Sequence, residues 1–379
     1  MNALRKRCGG FAGVEALQKA GCPTKLIVLG ANGNNKQTRI TREKIMKRNA
    51  SLVQRMRLPA LAGLVMLSLA AGGSRGQAKS EPFSHLLVFG DSLSDTGNYY
   101  RLSGGSPPPP YAEGRFCSGP LWVEYLAASL GMPYQSGDNF AVAGATTGTF
   151  NANDGVAGRE YPGLLDEVAS FAALSSVSEP GRALYVVEAG ANDVSVALAT
   201  GMSPAAMIAN GVNNTVAAIQ QLSGSGAQFI LVMNLPDVGV TPLARGLGES
   251  GPAMLTQLSA AYNQALDQAL NQLTQAGIPT IRLNAFAVLD DMVNRPAAYG
   301  FTDVTTPCLF GPAGSNPDQF LFWDAWHPTT RAHQVLAKAA LEQLISTFSR
   351  SHGKGTPDAR VNALHGLVNA SLHNHWPRN

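Results

Sequence analysis

Short apolar runs alternate along this chain with longer stretches in which apolar residues recur every three or four positions. The apolar runs predict four buried strands, at residues 86–89, 183–189, 229–233 and 280–283. The periodic stretches predict helices, at residues 122–130, 161–175, 204–222, 252–276 and 330–348. Strands that alternate with helices over short links predict an α/β fold, in which helices cover both faces of a parallel sheet.

Residues 1–78 have a different pattern from the rest of the chain. Basic residues precede an apolar run over residues 58–72, and small residues then extend to Ala78. This is the layout of a secretory signal peptide, and the run is shorter than the roughly 20 residues that cross a bilayer. We therefore expect a mature chain that begins near Lys79, is secreted or periplasmic, and has no stable membrane span. A signal anchor is the alternative interpretation.

The same region predicts how the chain is divided into domains. Signal peptides normally open a chain, so the residues before Met46 are unusual. Our hypothesis is that translation starts at Met46 or Met56, which makes residues 1–78 an over-extended amino terminus followed by a signal peptide. Residues 79–350 then form one folded domain. Residues 351–379 are polar, have weak periodicity and form a carboxyl-terminal tail.

The composition is that of a globular protein, since 45% of the 379 residues are hydrophobic and 14% are charged. The formal net charge is +3, and much of the basic excess lies before Arg75, so the chain has no basic stripe for nucleic acid. The histidines and cysteines lack the spacing of a metal site. We expect neither a metal nor a cofactor.

Candidate chemistry begins where the first strand leads into Gly90, Asp91 and Ser92. Open α/β sheets place their chemistry at the carboxyl ends of strands, so Ser92 is a candidate nucleophile, although polar turns after strands are also common structural features. Of the seven histidines, only His327 has a carboxylate three residues earlier, at Asp324. One turn of chain brings that carboxylate to an imidazole, whose reference pKa of about 6.5 suits a base at neutral pH.

Four sequence blocks resemble those of the GDSL lipase/esterase family of the SGNH hydrolase superfamily, in the family's order. The first is Phe-Gly-Asp-Ser-Leu-Ser-Asp-Thr-Gly-Asn, at residues 89–98. The second covers residues 139–146, the third is Gly-Ala-Asn-Asp at residues 190–193, and the last is Asp-Ala-Trp-His at residues 324–327. The resemblance runs from about residue 84 to about residue 349. It departs from the family where the usual Gly-Gly of the second block is replaced by Ala143 and Gly144.

This resemblance implies a three-layer α/β/α sandwich with a central parallel sheet in flavodoxin-like order. It implies a catalytic triad of Ser92, Asp324 and His327, and an oxyanion hole formed by the backbone N–H groups of Ser92 and Gly144 and the amide of Asn192. The activity implied is hydrolysis of small-molecule or lipid carboxylic esters through an acyl-serine. An acyltransferase or a phospholipase on the same scaffold is the alternative, and a non-catalytic binding module is a further one. The residues predict neither acyl chain length nor oligomeric state.

Cysteine positions lead to one more prediction. Removal of the leader leaves Cys117 and Cys308 of the four cysteines, and exported proteins usually pair their thiols. We therefore predict a Cys117–Cys308 disulfide, which would tie the loop after the nucleophile to the loop before Asp324. The family often has a cysteine pair within the later loop, whereas this chain has a single cysteine there.

Overall fold

The computed structural model describes residues 82–174, 177 and 179–351. The predicted leader, the expected start of the mature chain near Lys79 and the tail beyond residue 351 lie outside the described residues. Within the described part of the chain, no helix combines the length and the apolar character needed to cross a membrane.

Four parallel strands form the central sheet, and each strand follows one of the predicted apolar runs. The order across the sheet is β1-β2-β3-β4. Every strand residue is buried or half-buried, because helices cover both faces of the sheet. The strand bounds are β1 Leu86–Gly90, β2 Leu184–Glu188, β3 Phe229–Met233 and β4 Ile281–Leu283.

A fifth segment lies along the outer edge of β1. The backbone N–H of Phe140 donates to the carbonyl of Val88 at 2.7 Å, and that of Val142 donates to the carbonyl of Gly90 at 3.0 Å. Asn139 forms a parallel bridge with Val88. When this short segment is counted in chain order, the sheet reads 2-1-3-4-5, which is the flavodoxin-like order.

Nine helices connect and cover the strands in the described part of the chain. Their bounds are α1 Asn98–Ser103, α2 Trp122–Ser129, α3 Leu164–Leu174, α4 Ala191–Thr200, α5 Pro204–Gly224, α6 Pro242–Gly246, α7 Gly251–Gln275, α8 Ala285–Asn294 and α9 Thr330–Ser351. Short 3₁₀ turns fill several of the loops.

The hydrophobic core lies on the two faces of the sheet, which confirms the three-layer α/β/α prediction. Leu87 and Phe89 of β1 pack with helices α3, α5 and α7. Leu86 and Val88 point to the opposite face and pack with α2 and α9. This alternation follows from the two-residue period of a strand, and it leaves the carboxyl ends of the strands open to loops.

The helices agree with the sequence prediction where they are long and differ where they are short. α7 buries the predicted stripe that includes Leu255, Tyr262 and Leu270. In contrast, α4 begins immediately after Gly190, where the sequence predicted no helix. This places Asn192 in the first turn of a helix. α1, α6 and α8 were also not predicted.

Candidate active site

The turn that carries Ser92 is shaped by Gly90, the last residue of β1. Gly90 has a φ of +155°, and an added Cβ atom would lie 2.0 Å from the carbonyl oxygen of Glu188 on the neighbouring strand. The backbone N–H groups of Ser94 and Asp95 then donate to the carbonyl of Asp91, at 3.0 Å and 2.9 Å. The close strand contact and the tight turn together hold Ser92 at the carboxyl end of β1.

Ser92, His327 and Asp324 form a continuous chain of hydrogen bonds. The Oγ atom of Ser92 lies 2.8 Å from Nε2 of His327, and Nδ1 of His327 lies 2.7 Å from Oδ2 of Asp324. All three residues are buried. The sequence predicted the Asp324–His327 proximity from their spacing. The family resemblance assigned Ser92 to the same triad, and the structure places it beside His327, although the two are 235 positions apart.

Local contacts hold Asp324 in its ionised form. Burial alone would raise its pKa, but the adjacent imidazole and the hydrogen bonds that the carboxylate accepts hold the pKa below its ordinary value. Two of these bonds come from the backbone N–H groups of Trp326 and His327, which both donate to Oδ1 at 2.7 Å. An ionised carboxylate fixed in this way can orient the imidazole and stabilise its protonated form.

The three predicted oxyanion donors lie on neighbouring segments, which are the nucleophile turn, the loop of Gly144 and the first turn of α4. The amide of Asn192 donates to Oδ2 of Asp91 at 3.2 Å and to the carbonyl of Ala145 at 3.0 Å. It thus joins the nucleophile turn to the loop of Gly144. Among the described residues, no protein acceptor is bonded to the backbone N–H of Ser92 or Gly144. Both N–H groups are therefore open to a ligand, whereas the Asn192 amide already has two protein acceptors.

Two separate features of the structure require a glycine at position 144. Its φ is +87°, a conformation that side chains disfavour. An added Cβ atom would also lie 2.3 Å from Oδ1 of Asn151 and 2.3 Å from Nδ2 of Asn153. At the preceding position, Ala143 is buried without strain, which is why the departure from Gly-Gly is accommodated.

Buried carboxylates connect the loops of the site, and sequence reasoning did not predict this network. Asp95 accepts the backbone N–H of Ala143 at 2.8 Å, and Glu167 accepts those of Gly90 and Val142, at 2.7 Å and 3.1 Å. Glu188 accepts the hydroxyl of Ser94 at 2.9 Å, and Asp193 accepts the hydroxyl of Thr147 at 2.6 Å. The pKa of each of these four acids is raised, chiefly by burial. The one available signal was Glu188, a charged residue inside an apolar run.

The predicted Cys117–Cys308 disulfide is wrong, because both thiols are free and buried. Each loop is instead held by hydrogen bonds to the segment that carries Asp324 and His327. Sγ of Cys117 donates to the carbonyl of Pro328 at 3.5 Å, and the backbone N–H of Cys308 donates to the carbonyl of Phe322 at 2.9 Å. The two cysteines thus contact opposite ends of this segment. Within the described residues, no cluster of His, Cys, Asp and Glu side chains has the geometry of a metal site.

A parallel α/β sheet with a bonded serine, histidine and aspartate at its carboxyl end has the geometry of a serine hydrolase. A family model described as GDSL-like Lipase/Acylhydrolase matches residues 86–340. The chain belongs to this family, and relatives named GDSL esterase/lipase support an ester hydrolase. The predicted family and enzyme class are confirmed.

Curated relatives from bacteria and plants support this assignment. The chain is 30% identical to a phosphatidylcholine-sterol acyltransferase of Aeromonas hydrophila, covering 76% of this chain and 96% of that protein. It is 31% identical to an uncharacterized protein in the trpE-trpG intergenic region of Pseudomonas putida, covering 77% of this chain and 54% of that protein. The chain thus spans about half of the Pseudomonas relative. A GDSL esterase/lipase of Arabidopsis thaliana is 26% identical, with 74% and 91% coverage.

Proposed function

We propose that this protein hydrolyses small-molecule or lipid carboxylic esters through an acyl-Ser92 intermediate. The observation that supports the proposal most directly is the chain of hydrogen bonds from Oγ of Ser92 through His327 to Asp324. A serine hydroxyl is a weak nucleophile until an adjacent base removes its proton, and this geometry supplies that base.

The first half of the reaction acylates the serine. Oγ of Ser92 attacks the ester carbonyl while Nε2 of His327 accepts its proton, and Asp324 stabilises the resulting imidazolium. The carbonyl oxygen becomes an oxyanion, which the backbone N–H groups of Ser92 and Gly144 bind. The amide of Asn192 also donates to the oxyanion if it gives up one of its hydrogen bonds to Asp91 and Ala145. The ester C–O bond then breaks, and His327 returns the proton to the departing alcohol.

The second half releases the acid. A water molecule gives a proton to His327 and attacks the acyl carbonyl, and the carboxylic acid leaves as Oγ of Ser92 regains its proton. An alcohol in place of water would yield a new ester. The name of the Aeromonas hydrophila relative favours this acyl transfer as the second candidate function. Product analysis with added glycerol or sterol separates the two outcomes, since only transfer produces a glyceryl or steryl ester.

The experiment that tests this proposal combines labelling with mutation. A serine-directed phosphonate is expected to modify Ser92 alone, as read by peptide mass spectrometry. We expect Ser92→Ala and His327→Ala each to lower kcat on p-nitrophenyl esters by about a thousandfold or more. The double variant is expected to lose no more than either single variant, since both residues serve one step. Ser103→Ala, at a serine of α1, is the control. Label on a peptide without Ser92, or normal turnover by Ser92→Ala, would exclude the mechanism.

We also propose that the protein is exported. The support is the basic, apolar and small-residue layout that ends at Ala78. Cell fractionation and amino-terminal sequencing of the mature protein test this, with a start near Lys79 expected outside the cytoplasm. Full-length protein retained in the cytoplasm would contradict it.

A further inference from the structure

Tyr111 reaches the carboxylate of Asp324 from the proline-rich loop that follows α1. Its hydroxyl donates to Oδ2 of Asp324 at 2.9 Å. That same oxygen lies 2.7 Å from Nδ1 of His327. The phenol and the imidazole therefore share one acceptor atom. The family blocks do not include Tyr111, and it lies 213 positions from Asp324 along the chain.

We propose that Tyr111 is a positioning residue that shares Oδ2 of Asp324 with His327 and so sets the acid limit of the enzyme's pH range. This inference rests on the proposed function, because it requires His327 to act as the base. Tyr111 acts through Asp324.

Aromatic packing holds the Tyr111 hydroxyl in place. The Tyr111 ring packs edge-on against Phe116 and Trp323, with centroid distances of 5.7 Å and 6.2 Å. Phe116 in turn lies against the His327 ring at 5.1 Å. The rings form one cluster around the Asp324–His327 pair, so the phenol meets the carboxylate at little further cost in side-chain entropy.

The direction of the effect follows from competition for negative charge. A hydrogen-bond donor stabilises the negative charge of a carboxylate. It thereby weakens the attraction between that carboxylate and a second, positively charged partner. Tyr111 therefore reduces the preference of Asp324 for a protonated imidazole. His327 then remains an unprotonated base at more acidic pH than it would beside an unshared Asp324.

Other titratable groups also face this pair. Asp91 lies near His327 on the nucleophile turn, and burial raises its pKa to about 6. Cys117 faces Asp324, and burial raises its pKa to about 12. His333 on α9 is buried beside His327, and burial lowers its pKa to about 3. A comparison in which only the hydroxyl at position 111 is removed leaves these three groups unchanged.

The test is the pH dependence of kcat/KM for Tyr111→Phe, which removes the hydroxyl and keeps the ring. We expect the acid limb to move to higher pH by about 0.5 to 1 unit, a part of what one hydrogen bond to a charged group contributes, with KM changed less than twofold. Tyr100→Phe is the matched control, since Tyr100 lies on neighbouring α1 with its side chain 40% exposed. Its acid limb is expected to stay in place.

A purely structural role for Tyr111 would lower activity at every pH without moving the acid limb. An unmoved limb, or one that moves to lower pH, would overturn the inference. A second measurement leaves the chain unmutated: global replacement of tyrosine by 3-fluorotyrosine makes the phenol a stronger donor. This should shift the acid limb of the wild type to lower pH, and the absence of a shift also overturns the inference. An active Ser92→Ala, by contrast, would reject the proposed function itself.

Discussion

At the scale of single residues, the site separates groups that react from groups that hold them. Ser92 and His327 are bonded through the atoms that would exchange a proton, at 2.8 Å. Asn192 differs, because its amide holds two loops together through Asp91 and Ala145. Its proposed share in the oxyanion hole therefore requires a change in bonding during the reaction.

Replacement of Asn192 by alanine tests whether its amide is an oxyanion donor. We expect kcat to fall about a hundredfold or more, the usual loss for one oxyanion donor, while the phosphonate still labels Ser92. Asn234→Ala is the control, since Asn234 directly follows β3 at the same edge of the sheet but bonds to Asn284. We expect normal kcat for this control. Normal kcat for Asn192→Ala would remove Asn192 from the oxyanion hole.

Gly144 and Ala143 form a second matched pair. Gly144→Ala is expected to abolish most activity and lower stability, because the added methyl meets Asn151 and Asn153 at a positive φ. Ala143→Gly restores the family's Gly-Gly and is expected to stay within about threefold of wild-type kcat, since it leaves the backbone N–H groups in place. Kinetics and urea unfolding of both variants check this. If the two variants kept the same activity and stability, this expectation would be wrong.

At the scale of elements, buried acids hold the loops that carry the site. Asp95 accepts four backbone N–H groups, which belong to Ala143 and to residues 97–99 at the start of α1. Asp95→Asn substitutes a donor for one of these acceptor oxygens. We expect kcat to fall about tenfold or more and unfolding free energy to fall by about 1–3 kcal/mol, the cost of unsatisfied buried donors.

Asp138→Asn is the control for Asp95, because Asp138 is partly exposed and bonds to His85 away from the site. Kinetics and urea unfolding of the two variants are the measurements. If Asp95→Asn matched Asp138→Asn in both, then Asp95 would have no part in shaping the oxyanion loop.

Sequence reasoning succeeded for elements with a strong local pattern. β3 was predicted to the residue because its apolar run has sharp ends. α7 was predicted to within one residue at each end because its buried stripe repeats along a helix of 25 residues. α4 was missed because Gly190 and the polar residues after it have the composition of a turn. The Asp324–His327 pair was predictable because three positions separate them, whereas Tyr111 meets Asp324 only through the fold.

At the scale of the whole molecule, acidic side chains that folding removes from water hold the loops of the active site. Burial raises the pKa of Asp91, Asp95, Glu167, Glu188 and Asp193. A raised pKa means that the folded state holds protons that the unfolded state has released. The stabilisation from these protons is complete below the unfolded values near 4 and is lost as pH rises through the folded values.

Asp291, Asp303 and Asp324 have lowered pKa values and act in the opposite direction, but only below their unfolded values near 4. Buried His333, whose pKa is lowered to about 3, opposes the acids up to its unfolded value near 6.5. Because five acids oppose one histidine, we expect the free energy of unfolding, measured in urea, to decrease as pH rises from about 4 through 6, where Asp91 titrates. A free energy that increased with pH over this range would show that these acids are paired or hydrated in the folded protein.

Glu188 allows the origin of this pH dependence to be tested with one substitution. Glutamine resembles the protonated acid: its amide oxygen can accept the Ser94 hydroxyl, which lies 2.9 Å from Oε2, and its NH₂ group can donate to Asp91. Glu188→Gln is therefore expected to reduce the loss of stability with rising pH and to be relatively more stable at pH 8 than at pH 5. Glu249→Gln, at an exposed position, is expected to keep the wild-type slope. If both variants kept the wild-type slope of unfolding free energy against pH, Glu188 would not be a source of the pH dependence. The other buried acids with raised pKa values would then have to account for it.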